Sequence, residues 1–169
     1  MIHYLDMTKT PGFGIMSDPG DTIIFTGVSI NAMPLSVKKR EGELYEDFAR
    51  KYGFRFIFDD KKPEIDFYSV PSLDIAATDE NGGFLASVGQ PFDLRDPVPL
   101  VYISPDRRCY LITENSTEFL SIVSHWRSRL TPFEGVKLYR DKAQAKGEYP
   151  IVDFETTEIY RLHLENFPG

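Results

Sequence analysis

Three histidines, His3, His125 and His163, and one cysteine, Cys109, are the residues of this chain best suited to metal or nucleophilic chemistry. No two histidines stand at the i, i+4 spacing of a zinc helix, and there is no second cysteine to complete a sulfur pair. His125, beside Trp126 near the end of a helical pattern, suits a structural place where its polar tip meets the negative end of the helix dipole. Cys109 alternates with Tyr110 and Leu111 in a strand-like run, and spacing identifies no base that could activate its thiol. Gly12-Phe13-Gly14 has neither a strand before it nor a helix after it, so it reads as a loop rather than a nucleotide fingerprint. Asp79-Glu80-Asn81-Gly82 opens like a calcium loop, but the closing glutamate is missing and position 85 is Leu. It reads as a hairpin turn. The carboxylate pairs Asp59-Asp60 and Asp93 with Asp96 could do acid–base work, yet nothing in the sequence marks a shifted pKa. No catalytic residue, metal or cofactor is expected.

The elements that must carry these residues read as α+β. Glycines and prolines punctuate positions 1–34, and only Thr22 to Ile30 has the β-branched character of a strand. Leu44, Phe48 and Tyr52 then recur at steps of four, with Tyr45 and Ala49 widening the apolar face and Gly53 placed to end the helix. Gly42 weakens the first half, so this helix is expected to begin near Glu41. Strands are expected at Phe54 to Phe58 and Ile65 to Val70. A hairpin follows, Leu73 to Thr78 and Phe84 to Val88 about the Asp79–Gly83 turn, and then a second, Pro99 to Ile103 and Arg108 to Thr113. Asn115 and Glu118 have capping-box spacing ahead of a helix whose apolar stripe is Phe119, Ile122, Val123, Trp126 and Leu130. Val136 to Ala145 reads as a short helix, Tyr149 to Phe154 as a strand, and Glu155 to Phe167 is ambiguous. The sum is a single domain, a mostly antiparallel or mixed sheet with two main helices packed on it.

The 169 residues fit one domain, and 41% hydrophobic with 27% charged content is ordinary for a globular chain. The N-terminus, Met1 to Asp6, lacks the basic head and apolar core of a signal peptide. Thr22 to Leu35 is too short and too polar to span a bilayer, and Asn166-Phe167-Pro168-Gly169 is no lipidation box. The lone cysteine fits a reducing interior. A soluble cytoplasmic protein without a membrane partner is expected.

The charge is unevenly placed. With 26 acids against 19 bases the chain carries −7, which argues against direct nucleic-acid binding. Between Ile57 and Leu120 twelve acids face five bases, so that segment holds the whole surplus. Its loops contain Asp59, Asp60, Glu64, Asp66, Asp79, Glu80, Asp93 and Asp96. These eight are the candidate partner-binding residues, an acidic face that would steer a basic partner.

The run from Leu73 through the Asp79–Gly83 turn to Gly89, then Asp96-Pro-Val-Pro-Leu-Val-Tyr-Ile-Ser104, then Cys109-Tyr-Leu-Ile-Thr113 leading into Phe119-Leu120, resembles the SUKH superfamily. These are bacterial immunity proteins related to fungal cell-wall-assembly regulators. The clearest match spans 73–123, and the helix from Ser36 to Tyr52 corresponds loosely to the family's early helix. Positions 1–34 stand as an atypical extension without the family's Leu-Pro-x-x-Tyr segment, and the tail beyond Pro132 is long. The resemblance implies an α+β fold, no enzymatic activity, and binding that neutralises a cognate toxin, often a nuclease. A nuclease presents a basic surface to phosphates, so an acidic inhibitor face fits it. The alternative is an intracellular adaptor, or a module holding a small ligand in a pocket lined by Phe54, Phe56, Phe58 and Tyr68.

Overall fold

Gly27 divides what composition reads as one strand. Its φ of +95° suits a residue without a side chain, and the chain turns there from one sheet into another. The computed structural model describes residues 2–6 and 22–153. Gly12-Phe13-Gly14, His163 and the ambiguous segment 155–167 lie outside them. In chain order the elements are β1 (Ile2–Asp6), β2 (Thr22–Thr26), β3 (Val28–Ile30), α1 (Leu35–Tyr52), β4 (Arg55–Phe56), β5 (Tyr68–Val70), β6 (Leu73–Thr78), β7 (Phe84–Val88), β8 (Leu100–Ile103) and β9 (Cys109–Thr113). They continue with α2 (Phe119–Ile122), β10 (Thr131–Pro132), β11 (Lys137–Tyr139), α3 (Lys142–Lys146) and β12 (Ile151–Asp153).

The described residues have an α+β fold. Strands β6 to β9 form an antiparallel meander, extended by β10 beyond β9 and by β3, parallel to β6, at the other side. β4 also pairs with β6. A separate parallel sheet has the order β12-β1-β2, and β5 pairs with β11. Alternation along the meander sends Leu85, Leu100, Tyr102 and Ile112 to one face, where Phe54, Phe119 and Trp126 cover them. Leu73, Ile75, Phe84, Val101 and Ile103 face the other way, under Ile57, Phe67 and Val136. With both faces buried, these strands are nearly continuous apolar runs.

Three helical expectations change. α1 starts at Leu35 rather than near Glu41, because Pro34 sets an extended residue at its threshold and the interior Gly42 is tolerated. Gly53, at φ +87°, ends it as expected, its N–H returning to Ala49 O at 2.9 Å. The helix expected after Asn115 is broken into a 3-10 turn at Ser116–Glu118, the short α2, and a 3-10 stretch Val123–Arg129 interrupted at His125 (φ −136°, ψ 30°). Hydroxyls of Ser121 and Ser128 bond the carbonyls of Glu118 and His125, competing with helical pairing. The break lets Trp126 stack on Phe54 at 4.2 Å while its indole N–H donates to Tyr52 O at 2.6 Å. Asn115 caps Thr117 N, but the capping box is not closed, since Asn115 N–H donates to Thr113 Oγ1 instead. Val136 to Ala145 is not one helix. Its first part is β11, and α3 begins only after Asp141, whose carboxylate accepts from Gln144 N–H at 2.8 Å.

Candidate functional site

Register fixes where the acidic loops lie. Thr78 pairs with Phe84, Phe84 with Ile103 and Ile103 with Cys109, so the 79–83 and 104–108 turns share one end of the meander. Leu73 pairs with Val88, Ser87 with Leu100 and Leu100 with Thr113, which puts the 89–99 connection and the 114–118 turn at the opposite end. The eight candidate residues therefore do not form one face.

At the hairpin end three of the four acids, Asp66, Asp79 and Asp106, are matched by arginines. Asp79 is buried and is withdrawn from any accessible surface. Its Oδ1 accepts the N–H groups of Asn81 (3.0 Å) and Gly83 (2.6 Å), and its Oδ2 accepts the Tyr102 hydroxyl. Arg127 lies 3.8 Å from Oδ2 with its guanidinium over the Trp126 ring. The aspartate was expected at a partner surface, but its side chain is needed to hold its own turn. Tyr102 is raised well above the usual tyrosine range by burial, then by its bond to Asp79. Asp66 is exposed but held by Arg107, at 2.9 and 3.2 Å, which also donates to Gly82 O and lies over Phe67 and Phe84. Asp106 pairs with Arg108, and the Ser104 hydroxyl holds its carboxyl below the usual range. Glu80 is exposed and makes no ion pair among the described residues.

Asp59 and Asp60 follow β4 at the sheet's side, next to Met33. Asp60 pairs with Lys38 at 2.5 Å, a bond that holds its carboxyl below the usual range, and Asp59 lies 3.9 Å from Lys62. Glu64 is exposed beyond them.

The far end keeps its charge. Asp93 accepts from the backbone N–H of Arg95 at 2.7 Å and from its guanidinium at 3.3 Å, which together lower its pKa. Asp96 and Glu114 are exposed without an ion pair among the described residues, and Glu118 is exposed beside them. Ser116 ties these loops together: its N–H donates to Val98 O and its hydroxyl to Asp96 O. Four acids in these loops are thus met by the single Arg95, which pairs with Asp93. Leu120, an apolar side chain 70% exposed, stands in the next turn. Glu114 and Glu118 were not among the sequence candidates. Their nearness to Asp96 comes from Ser116, which bonds Asp96 O and Val98 O across the two loops, a link no local pattern encodes.

Another polar group lies at the carboxyl ends of the parallel strands. Lys142 from α3 bridges Asp6 (2.8 Å) and Asp153, Tyr68 donates to Asp6 at 3.0 Å, and Thr26 bonds Tyr68 at 2.8 Å. Burial works to lower the Lys142 pKa, but its bonds to the two aspartates outweigh it and the net shift is upward. Among the described residues no group of three or more His, Cys, Asp or Glu could hold a metal ion. Cys109 is half-buried, and burial pushes its thiol up to about 12, which disfavours the nucleophilic thiolate. The aromatic pocket suggested by Phe54, Phe56, Phe58 and Tyr68 does not exist as such. Phe54 is fully buried under Trp126 and Tyr68 belongs to the parallel-sheet cluster, whereas Phe56 and Phe58 line a groove against α1.

Comparison with known proteins adds no relative: no family model matches the chain, and neither a curated protein nor a solved structure is significantly similar to it. Among the described residues, no helix is long and apolar enough to cross a membrane.

Proposed function

We propose that this chain is a non-catalytic, cytoplasmic binding protein of the immunity type, which neutralises a basic toxin domain by covering it. One observation carries the reading. After the arginines have matched the hairpin end, acidic charge remains around Asp93, Asp96, Glu114 and Glu118, beside the exposed Leu120. Charge of this sign speeds encounter with a nucleic-acid-cleaving surface, and an exposed apolar residue beside it adds desolvated contact area.

Support for the family likeness comes from how its pieces meet. The acidic-glycine turn and the Pro-Val-Tyr strand are distant in sequence, yet Tyr102 bonds Asp79 and passes where Gly83 has no Cβ. Both motifs are thereby explained as scaffold, which agrees with a family whose motifs carry no catalysis. The test is co-expression with a toxin domain encoded beside this chain. Survival of the host supports the reading, and unabated killing by a toxin that demonstrably needs neutralising overturns it.

A further inference from the structure

The wall that α1 turns toward β4 and residues 58–63 departs from two helix rules at once. No acid occupies the first turn, where the helix dipole favours one, and Lys38, Lys39 and Arg40 follow directly. Gly42 sits in the interior, although the nearest atom to a Cβ built there is Lys38 Cγ at 3.7 Å, so the fold has room for a larger residue. Natural sequences break such local rules chiefly at functional sites.

Both departures border the same groove of about 940 Å³. Its aromatic floor is Tyr45, edge-on to Phe56 at 5.7 Å and to Phe58 at 5.6 Å, with all three rings only half-buried. Two ion pairs cross from the helix to the far wall, Lys38 to Asp60 and Glu46 to Arg55. Between them Gly42 leaves an open window. Six basic and five acidic residues line the groove, a positive balance in a chain whose total is −7. Lys39 and Lys61 make no ion pair among the described residues.

We propose that this groove binds a small molecule that joins an aromatic ring to an anionic group. The ring enters at Gly42 and packs on Tyr45, Phe56 and Phe58, and the anion meets Lys61 at the rim. This site is separate from the acidic end and does not depend on the toxin reading. The test uses the full chain and anilinonaphthalene sulfonate, whose fluorescence rises on binding. The expected result is saturable binding at one site, weakened about tenfold by Gly42→Leu, which fills the window, and similarly by Lys61→Glu, an exposed position that leaves the fold intact. Gly42→Ala should bind as the parent does. Unchanged affinity in a Gly42→Leu protein with parental circular dichroism overturns the proposal. So does equally tight binding of the uncharged phenylnaphthylamine, which would remove the anionic requirement. Gly42→Leu should still neutralise a toxin, so a loss of dye binding cannot be confused with failure of that activity.

Discussion

The hydroxyl of Tyr102, on the third strand of the meander, donates to the carboxylate of Asp79 in the turn between the first two strands. The turn is therefore closed from outside as well as by its own backbone. Tyr102→Phe removes one donor from a buried carboxylate and should cost about 1.5–3 kcal/mol. Gly83→Ala places a methyl against the Tyr102 ring and should cost about 1–3 kcal/mol by overpacking. Urea unfolding measures both. Parental stability for either variant would show that the closure is not needed.

Alkaline pH should unfold the protein through its tyrosines. Burial raises the pKa values of Tyr68, Tyr102 and Tyr139, and the neighbouring carboxylates Asp6, Asp79 and Glu148 raise them further. The folded state thus holds these protons more tightly than the unfolded state does. Their stabilising contribution is complete below the ordinary tyrosine value of about 10 and is lost as pH rises above it. Urea midpoints should fall beyond that pH, with phenolate absorbance rising in step with loss of structure. Smooth titration of every tyrosine near pH ~10 in a still-folded protein would contradict this.

Gly42→Ala should stabilise the protein by about 0.8–1 kcal/mol, since the helix gains propensity and the added methyl meets no closer atom than Lys38 Cγ at 3.7 Å. A thermal or urea midpoint below the parent's would mean that the backbone at this position needs glycine.

Charge reversal should separate the two ends of the meander. Asp96→Lys combined with Glu114→Lys should slow association with a basic toxin domain by roughly tenfold, and added salt should shrink the difference. Glu80→Lys, at the arginine-matched end, should do little. Stopped-flow association rates decide between them, and equal sensitivity at both ends would dissolve the assignment.

Local pattern revealed the meander because each strand and each turn is written in adjacent residues: Leu73 to Thr78, the Asp79–Gly83 turn, and Pro105 in the second turn all stand as read. α1 was legible from its four-residue spacing, although Leu44, read as part of its apolar face, is exposed, and Pro34 rather than Gly42 decided its start. Where pattern failed, a distant contact had prevailed. Trp126 and the serines around it interrupt a good helical stripe, and β5 draws Lys137–Tyr139 out of an apparent helix. The candidate surface suffered the same way. Sequence located the acidic surplus, but it could not know that Arg107 and Arg127 would reach across to match half the loops, or that Ser116 would tie the loop of Asp96 to the turn of Glu114 and Glu118.

The parallel sheet also sets an order of events. Tyr4 lies between Ile24 and Ile151, so β1 pairs with the last strand of the described chain as well as with β2, whereas the strands of the meander pair with their sequence neighbours alone. Closing a loop that long exacts its entropy before any contact repays it. The meander should therefore be able to form on the ribosome while β12 is still unmade, with β1 waiting half-paired until β12 arrives. Pulse-labelled hydrogen exchange during refolding should find the amides of β6 to β9 protected first and those of the β1–β12 pair last.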